Sequence, residues 1–134
     1  MKAYIFDTSV WINFLNGKNT KTSRLLLEYI NSDEKIFLTP LILLEILQGI
    51  RDDKQYSEVK DSLLGFDTLI LDPIDVATKT SELFRKLKKK GVSVKKTNDC
   101  IIAFYAIHFD LTLVHSDKDF EKIAKHTNLK TITD

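Results

Sequence analysis

Five short apolar runs, each separated from the next by helical periodicity, constrain this chain more than any other feature. They occupy residues 3–6, 36–38, 68–71, 111–114 and 129–132. Each is a compact run of apolar residues bounded by turn-forming ones, as a buried strand requires. Residues 9–15, 22–31, 41–50, 55–64, 74–90, 97–109 and 116–125 carry apolar residues at helical spacing. Strands that read as continuous apolar runs are covered on both faces, and strands separated by helices pair in parallel. The expected fold is therefore an α/β sandwich, a parallel sheet with helices on both faces, in one domain spanning residues 1–134. A hydrophobic content of 43% is enough to fill such a core.

Local signals set the expected boundaries. Thr39-Pro40 reads as an N-cap followed by proline at the first helical position. Gly17, Gly65 and Gly91 are expected to end helices, and Asp72-Pro73 is a turn signal. Ser116-Asp117-Lys118-Asp119 resembles a capping box, with Ser116 as cap and Asp119 at the third helical position. In that arrangement Asp119 has a structural task and Asp117 is free for another.

Four acidic residues stand at the ends or inner sides of these apolar segments. Asp7 closes the first strand, Glu45 interrupts the run 41–47, Asp99 opens the apolar helix, and Asp117 follows the fourth strand. In open parallel sheets the working crevice lies beyond the carboxyl ends of the strands. Asp7 and Asp117 share that edge if the first and fourth strands are neighbours. Carboxylates brought together repel one another unless a cation joins them, which points to a divalent metal and to phosphate chemistry. Each acid also has a structural alternative. Asp7, Thr8 and Ser9 are all good N-cap residues. Glu45 shares a helix face with Gln48 and Asp52, and Asp99 suits the helix dipole.

The formal net charge of +1 names no partner, but the distribution does. Arg85, Lys86, Lys88, Lys89, Lys90, Lys95 and Lys96 form a basic strip without an acid, leading into Asp99. It is either a solvated helix face or a surface for a phosphate backbone. The single cysteine, Cys100, allows no intrachain disulfide, is expected to be a small buried hydrophobe, and is compatible with a cytoplasmic location. No signal peptide or membrane span is expected. His108 and His126 are expected at the surface or in packing, whereas His115 lies close to Asp117. No HExxH, CxxC, glycine-rich phosphate loop or GxSxG element occurs. A haloacid-dehalogenase-type phosphatase would need an acid where Ser9 stands, and a receiver domain would need paired acids before its first helix. Trp11, Phe14 and Leu15 are candidates for a partner contact and equally for the core.

Taken together, four segments resemble a PIN domain of the VapC toxin type. They are Ile5-Phe6-Asp7-Thr8-Ser9-Val10-Trp11-Ile12, Leu44-Glu45-Ile46-Leu47-Gln48-Gly49, Asp99-Cys100-Ile101-Ile102-Ala103 and Leu113-Val114-His115-Ser116-Asp117-Lys118-Asp119-Phe120. The resemblance spans residues 5–131. The chain departs from the family where His115 replaces a frequent threonine and Gln48 a frequent aromatic residue. The resemblance implies a three-layer sandwich with strand order 3-2-1-4-5. It also implies a Mg²⁺- or Mn²⁺-dependent ribonuclease, a homodimer and a small inhibitory antitoxin. Asp7, Glu45, Asp99 and Asp117 are the expected metal-binding and catalytic set, with Asp7 and Asp99 closest to the ion. Thr8, Ser9 and Asp119 are expected to position water or phosphate. Lys86, Lys88, Lys89, Lys90, Lys95 and Lys96 are expected to hold RNA. A PIN nuclease of RNA processing, or a binding module without catalysis, are the alternatives.

Overall fold

Two adjacent four-residue strands, β1 (Ala3–Phe6) and β4 (Thr112–His115), form the middle of the sheet, and their apolar residues Ile5, Phe6, Leu113 and Val114 are fully buried. The computed structural model describes residues 2–134. After β1 come α1 (Thr8–Leu15) and α2 (Lys21–Ile30), then β2 (Lys35–Leu38), α3 (Pro40–Gln48) and α4 (Asp53–Leu63). The edge strand β3 (Asp67–Thr68) leads to α5 (Pro73–Lys89) and α6 (Thr97–His108). Beyond β4, α7 (Lys118–Ala124) leads to β5 (Thr131–Thr133).

All pairings are parallel, and the order is β3-β2-β1-β4-β5, as expected. Crossovers from β1 outward to β3 run one way, and those to β4 and β5 run the other. Right-handed crossovers then place α1–α4 on one face and α5–α7 on the other. Strand order reverses between β1 and β4, which puts the crevice at their carboxyl ends.

Capping residues fix where the helices begin. Thr20, Thr39, Asp52 and Asp72 each accept a backbone N–H of the turn they precede. Gly17 and Gly91, at φ of 71° and 81°, follow the ends of α1 and α5 in the left-handed region that favours glycine. Helix α6 buries Asp99, Cys100, Ile102, Ala103, Tyr105 and Ala106, so it is apolar around most of its circumference. Burying a side chain such as Phe6 or Ile102 contributes about 1.5–3 kcal/mol. Trp11 is core, while Phe14 and Leu15 are half-buried beside it.

The structure corrects three boundaries. The third strand was expected at 68–71 but covers only Asp67–Thr68. Leu69 still donates its N–H to Leu38, yet Ile70 is 72% exposed, because an edge strand ends once the chain turns toward Asp72. The last strand is Thr131–Thr133, with Leu129 buried ahead of it. The proposed capping box at Ser116 does not form: Asp117 caps α7, accepting the Asp119 N–H, and the Ser116 hydroxyl turns to Asp134 instead.

Candidate active site

Register brings the first and fourth acids together. Phe6 pairs with Val114, and the Asp7 N–H donates to the Val114 carbonyl at 2.8 Å, so the chain leaves β1 and β4 at one level. Asp7 then caps α1, its Oδ2 accepting the Ser9 N–H at 3.0 Å and the Ser9 hydroxyl at 2.6 Å. The same Ser9 oxygen accepts the Ser116 N–H at 3.0 Å. One hydroxyl therefore ties the Asp7 carboxylate to the loop that carries Asp117. Burial raises the pKa of Asp7; the hydrogen bonds from Ser9 oppose that rise, and the nearby Glu45 charge adds to it.

Glu45 projects from α3 into the same region. Its Oε1 accepts the Thr8 hydroxyl at 2.8 Å and its Oε2 accepts the Asn98 side-chain amide at 3.2 Å. Thr8 belongs to the helix after Asp7, and Asn98 precedes Asp99, so Glu45 links the two. The alternative that Glu45, Gln48 and Asp52 form one polar stripe keeps Gln48 but loses Asp52, which caps α4 through the Gln55 N–H.

Asp99 lies in the first turn of α6 and is only 6% exposed. Its Oδ2 is buried without a hydrogen-bond partner. Asp99, Asp117 and Asp119 each offer an oxygen within 4.8 Å of the others. Burial, reinforced by the charges of Asp117 and Asp7, raises the pKa of Asp99 to about 7, with Lys96 acting in the opposite direction. A helix-dipole role places the carboxylate in the first turn but does not explain why it is buried with an unpartnered oxygen beside two further acids. A buried carboxylate with one unpartnered oxygen, grouped with two further carboxylates, has the donor chemistry that a hard divalent cation takes. Among the described residues this is the one cluster of three or more such groups whose donor atoms approach so closely, and it contains no thiolate or imidazole.

The structure brings Asp99 and Asp117 together with Asp119, and leaves Asp7 and Glu45 outside that close group, Asp7 tied to the Asp117 loop through Ser9 and Glu45 bonded to Thr8 and Asn98. Asp119, expected to serve in a capping box, stands in the cluster beside Asp117. Thr8 and Ser9 hold carboxylates in place. Asn98 and Glu121 were missed. Asn98 adjoins Asp99 in sequence, which was its only signal. Glu121 meets His115 Nε2 at 2.8 Å, four residues past Asp117. His115 is fully buried and its Nδ1 accepts the Asp117 N–H at 3.1 Å.

The basic strip divides. Lys96 Nζ lies 3.7 Å from Asp117 Oδ2, and Lys95 precedes it in the chain. Lys86 and Lys90 instead line a concavity of about 540 Å³ with Ile107, Lys125, His126 and Asn128. Val76 to Arg85 face Thr97 and Ile101, so α5 and α6 run side by side in the same sense. The end of α5 therefore lies near the far end of α6, about 12 Å along the helix axis from Asp99. Lys88 and Lys89 share that exposed end.

Comparison with known proteins adds the following. The PIN domain family profile matches residues 4–126. The chain is 30% identical over 130 residues to VapC ribonuclease Mb1587 of Mycobacterium bovis, covering 94% of this chain and 95% of that one. The same figures hold for Ribonuclease VapC11 of Mycobacterium tuberculosis. A VapBC2 structure from Rickettsia felis, bound to a DNA fragment from its promoter, superposes with a TM-score of 0.76 at 20% identity over 98% of both chains.

Proposed function

This chain belongs to the PIN-domain family, and from that premise we propose that its acidic edge is the active site of a divalent-metal endoribonuclease acting as the toxin of a VapBC-type pair. The observation that carries the reading is buried Asp99, its Oδ2 without a partner, grouped with Asp117 and Asp119 so that one oxygen of each lies within 4.8 Å of the others. Asp99, Asp117 and Asp119 hold the cation, Mg²⁺ or Mn²⁺, with Asp7 beside them and Glu45 acting from its hydrogen bonds to Thr8 and Asn98. When bound, the ion supplies Lewis-acid stabilisation at the phosphoryl group and an activated water at neutral pH.

The chain's own residues prepare that chemistry. Ser9 fixes the Asp7 carboxylate against the 116–117 loop, and the Asp117 cap fixes Asp119. Lys96 places a positive charge at the mouth of the site, where an RNA phosphate enters. Lys95 stands next to it, and Lys86, Lys88, Lys89 and Lys90 extend the basic surface away from the cleavage point. A small antitoxin neutralises the toxin, and the active unit is a homodimer. No helix among the described residues is long and apolar enough to cross a membrane.

Calorimetric titration of the metal-stripped protein with Mn²⁺ tests the reading. Saturable binding by the wild type and at least tenfold weaker binding by Asp99→Asn are expected. Equal affinity in the two proteins would place the ion elsewhere and remove the basis for the assignment.

A further inference from the structure

His115 is buried and unusable as a direct ligand, because both ring nitrogens already have partners. Nδ1 faces the Asp117 N–H, which can only donate, so Nδ1 carries the lone pair. Nε2 then carries the hydrogen and donates it to Glu121 Oε1, which also accepts the Thr131 hydroxyl at 2.8 Å. The ring packs on Phe120 with centroids 5.1 Å apart. A chain of contacts therefore runs from β5, through Glu121 on α7 and the imidazole at the end of β4, to the backbone of Asp117.

That backbone is the one that aims the carboxylate cluster. Asp117 is the N-cap of α7 and sits in extended conformation, its Oδ1 holding the Asp119 N–H. The preceding amide, that of Ser116, is held by Ser9. Consecutive N–H groups of this turn are thus each tied to a side chain, one through Ser9 toward Asp7 and one through His115 toward Glu121.

We propose that His115 is a positioning residue for the acidic site: oriented by Glu121 and Thr131, its Nδ1 fixes the Asp117 amide and so sets the direction in which Asp117 and Asp119 present their carboxylates. The inference rests on the reading of those acids as metal ligands, and goes beyond it by assigning the side chains, His115 with Glu121 and Thr131 behind it, that govern their geometry. Partners that orient a ligand commonly change metal affinity by about 10–100-fold when removed.

Two isosteres separate the ring's two ends. In His115→Asn the amide oxygen falls near Nδ1 and keeps the acceptor for Asp117. In His115→Gln the amide nitrogen falls near Nε2 and keeps the donor to Glu121, while the acceptor is lost. Amide hydrogen exchange at Asp117 in the metal-free protein reads the contact itself. Mn²⁺ titration reads its consequence. Expected are fast Asp117 exchange and at least tenfold weaker Mn²⁺ binding in His115→Gln, with smaller changes of both in His115→Asn, which keeps the acceptor but loses the tie to Glu121. Equal effects in the two variants, or none in either, would overturn the proposal. Should a His115 variant fail to fold, Glu121→Leu against Glu121→Gln asks the same question, since only glutamine keeps the acceptor for Nε2–H. Faster Asp117 exchange in leucine alone supports the proposal, and equal exchange overturns it. If the wild type binds no Mn²⁺, the metal reading fails while the exchange result still decides the role of His115.

Discussion

Replacing Asp99 by asparagine is expected to stabilise the metal-free protein at pH 8 while removing its activity. Burial and the neighbouring acids raise the pKa of Asp99 from 3.8 to about 7 in the folded state. The folded protein therefore binds a proton that the unfolded chain releases between those values. Stability is unaffected by this group below pH 3.8, falls as pH rises, and is fully reduced above pH 7. The whole penalty amounts to about 4 kcal/mol. Asparagine does not titrate, so its own contacts cancel when one variant is compared at two pH values. Between pH 5 and pH 8 the advantage of Asp99→Asn over wild type should grow by about 3 kcal/mol. Urea unfolding in EDTA at both values measures it. Mn²⁺ at a hundredfold excess over the wild-type Kd should then narrow the gap, stabilising the wild type by about 2.7 kcal/mol and a variant of at least tenfold weaker affinity by no more than about 1.4 kcal/mol. An advantage that does not vary with pH would refute the reasoning, because Asp99 would then be an ordinary ionised carboxylate.

Other perturbations test separate contacts. Ser9→Ala leaves the Ser116 N–H without its partner and removes one of the two hydrogen bonds on Asp7 Oδ2, the one from the backbone N–H remaining. It should cost about 2 kcal/mol by thermal or urea unfolding and lower kcat at least tenfold. Thr8→Val preserves shape but removes the hydrogen bond to Glu45, and should lower kcat with little change in stability, about 1 kcal/mol. Lys86→Gln with Lys90→Gln should weaken binding of all RNAs similarly, measured on Asp99→Asn protein, and reduce the slope of log affinity against log salt by up to about 2. An unchanged slope would exclude that end of α5 from the RNA path.

Much of the architecture was legible because it depends on local patterns. Buried parallel strands appear as apolar runs, and acids at their ends mark the carboxyl edge. Asp7 and Asp117 meet because β1 and β4 pair, which follows from the topology. What escaped depends on tertiary choices. Ser116 and Asp117 are both competent caps, and the pull of Asp134 on the Ser116 hydroxyl helps decide between them. The 68–71 run is apolar throughout, but an edge strand need not be covered along its length, and Ile70 is left in solvent. The lysines appeared continuous in sequence, yet α5 and α6 run in the same sense, so residues 90–96 travel the length of α6 and separate Lys86 from Lys96. Ser9 acts through a backbone amide of a distant loop, a contact that no spacing reveals, whereas His115 acts on an amide only two residues ahead and its partner across the ring, Glu121, is set by the packing of α7.

Cleavage of a mixed RNA pool, including structured tRNA, tests the central claim most directly. Purified wild type, Asp7→Asn and Asp99→Asn are compared with Mg²⁺, with Mn²⁺ and with EDTA. The account predicts cleavage by the wild type with either ion, none with EDTA, and at least a hundredfold loss in both variants. Cleavage that persists in EDTA, or in Asp99→Asn at the wild-type rate, would contradict it.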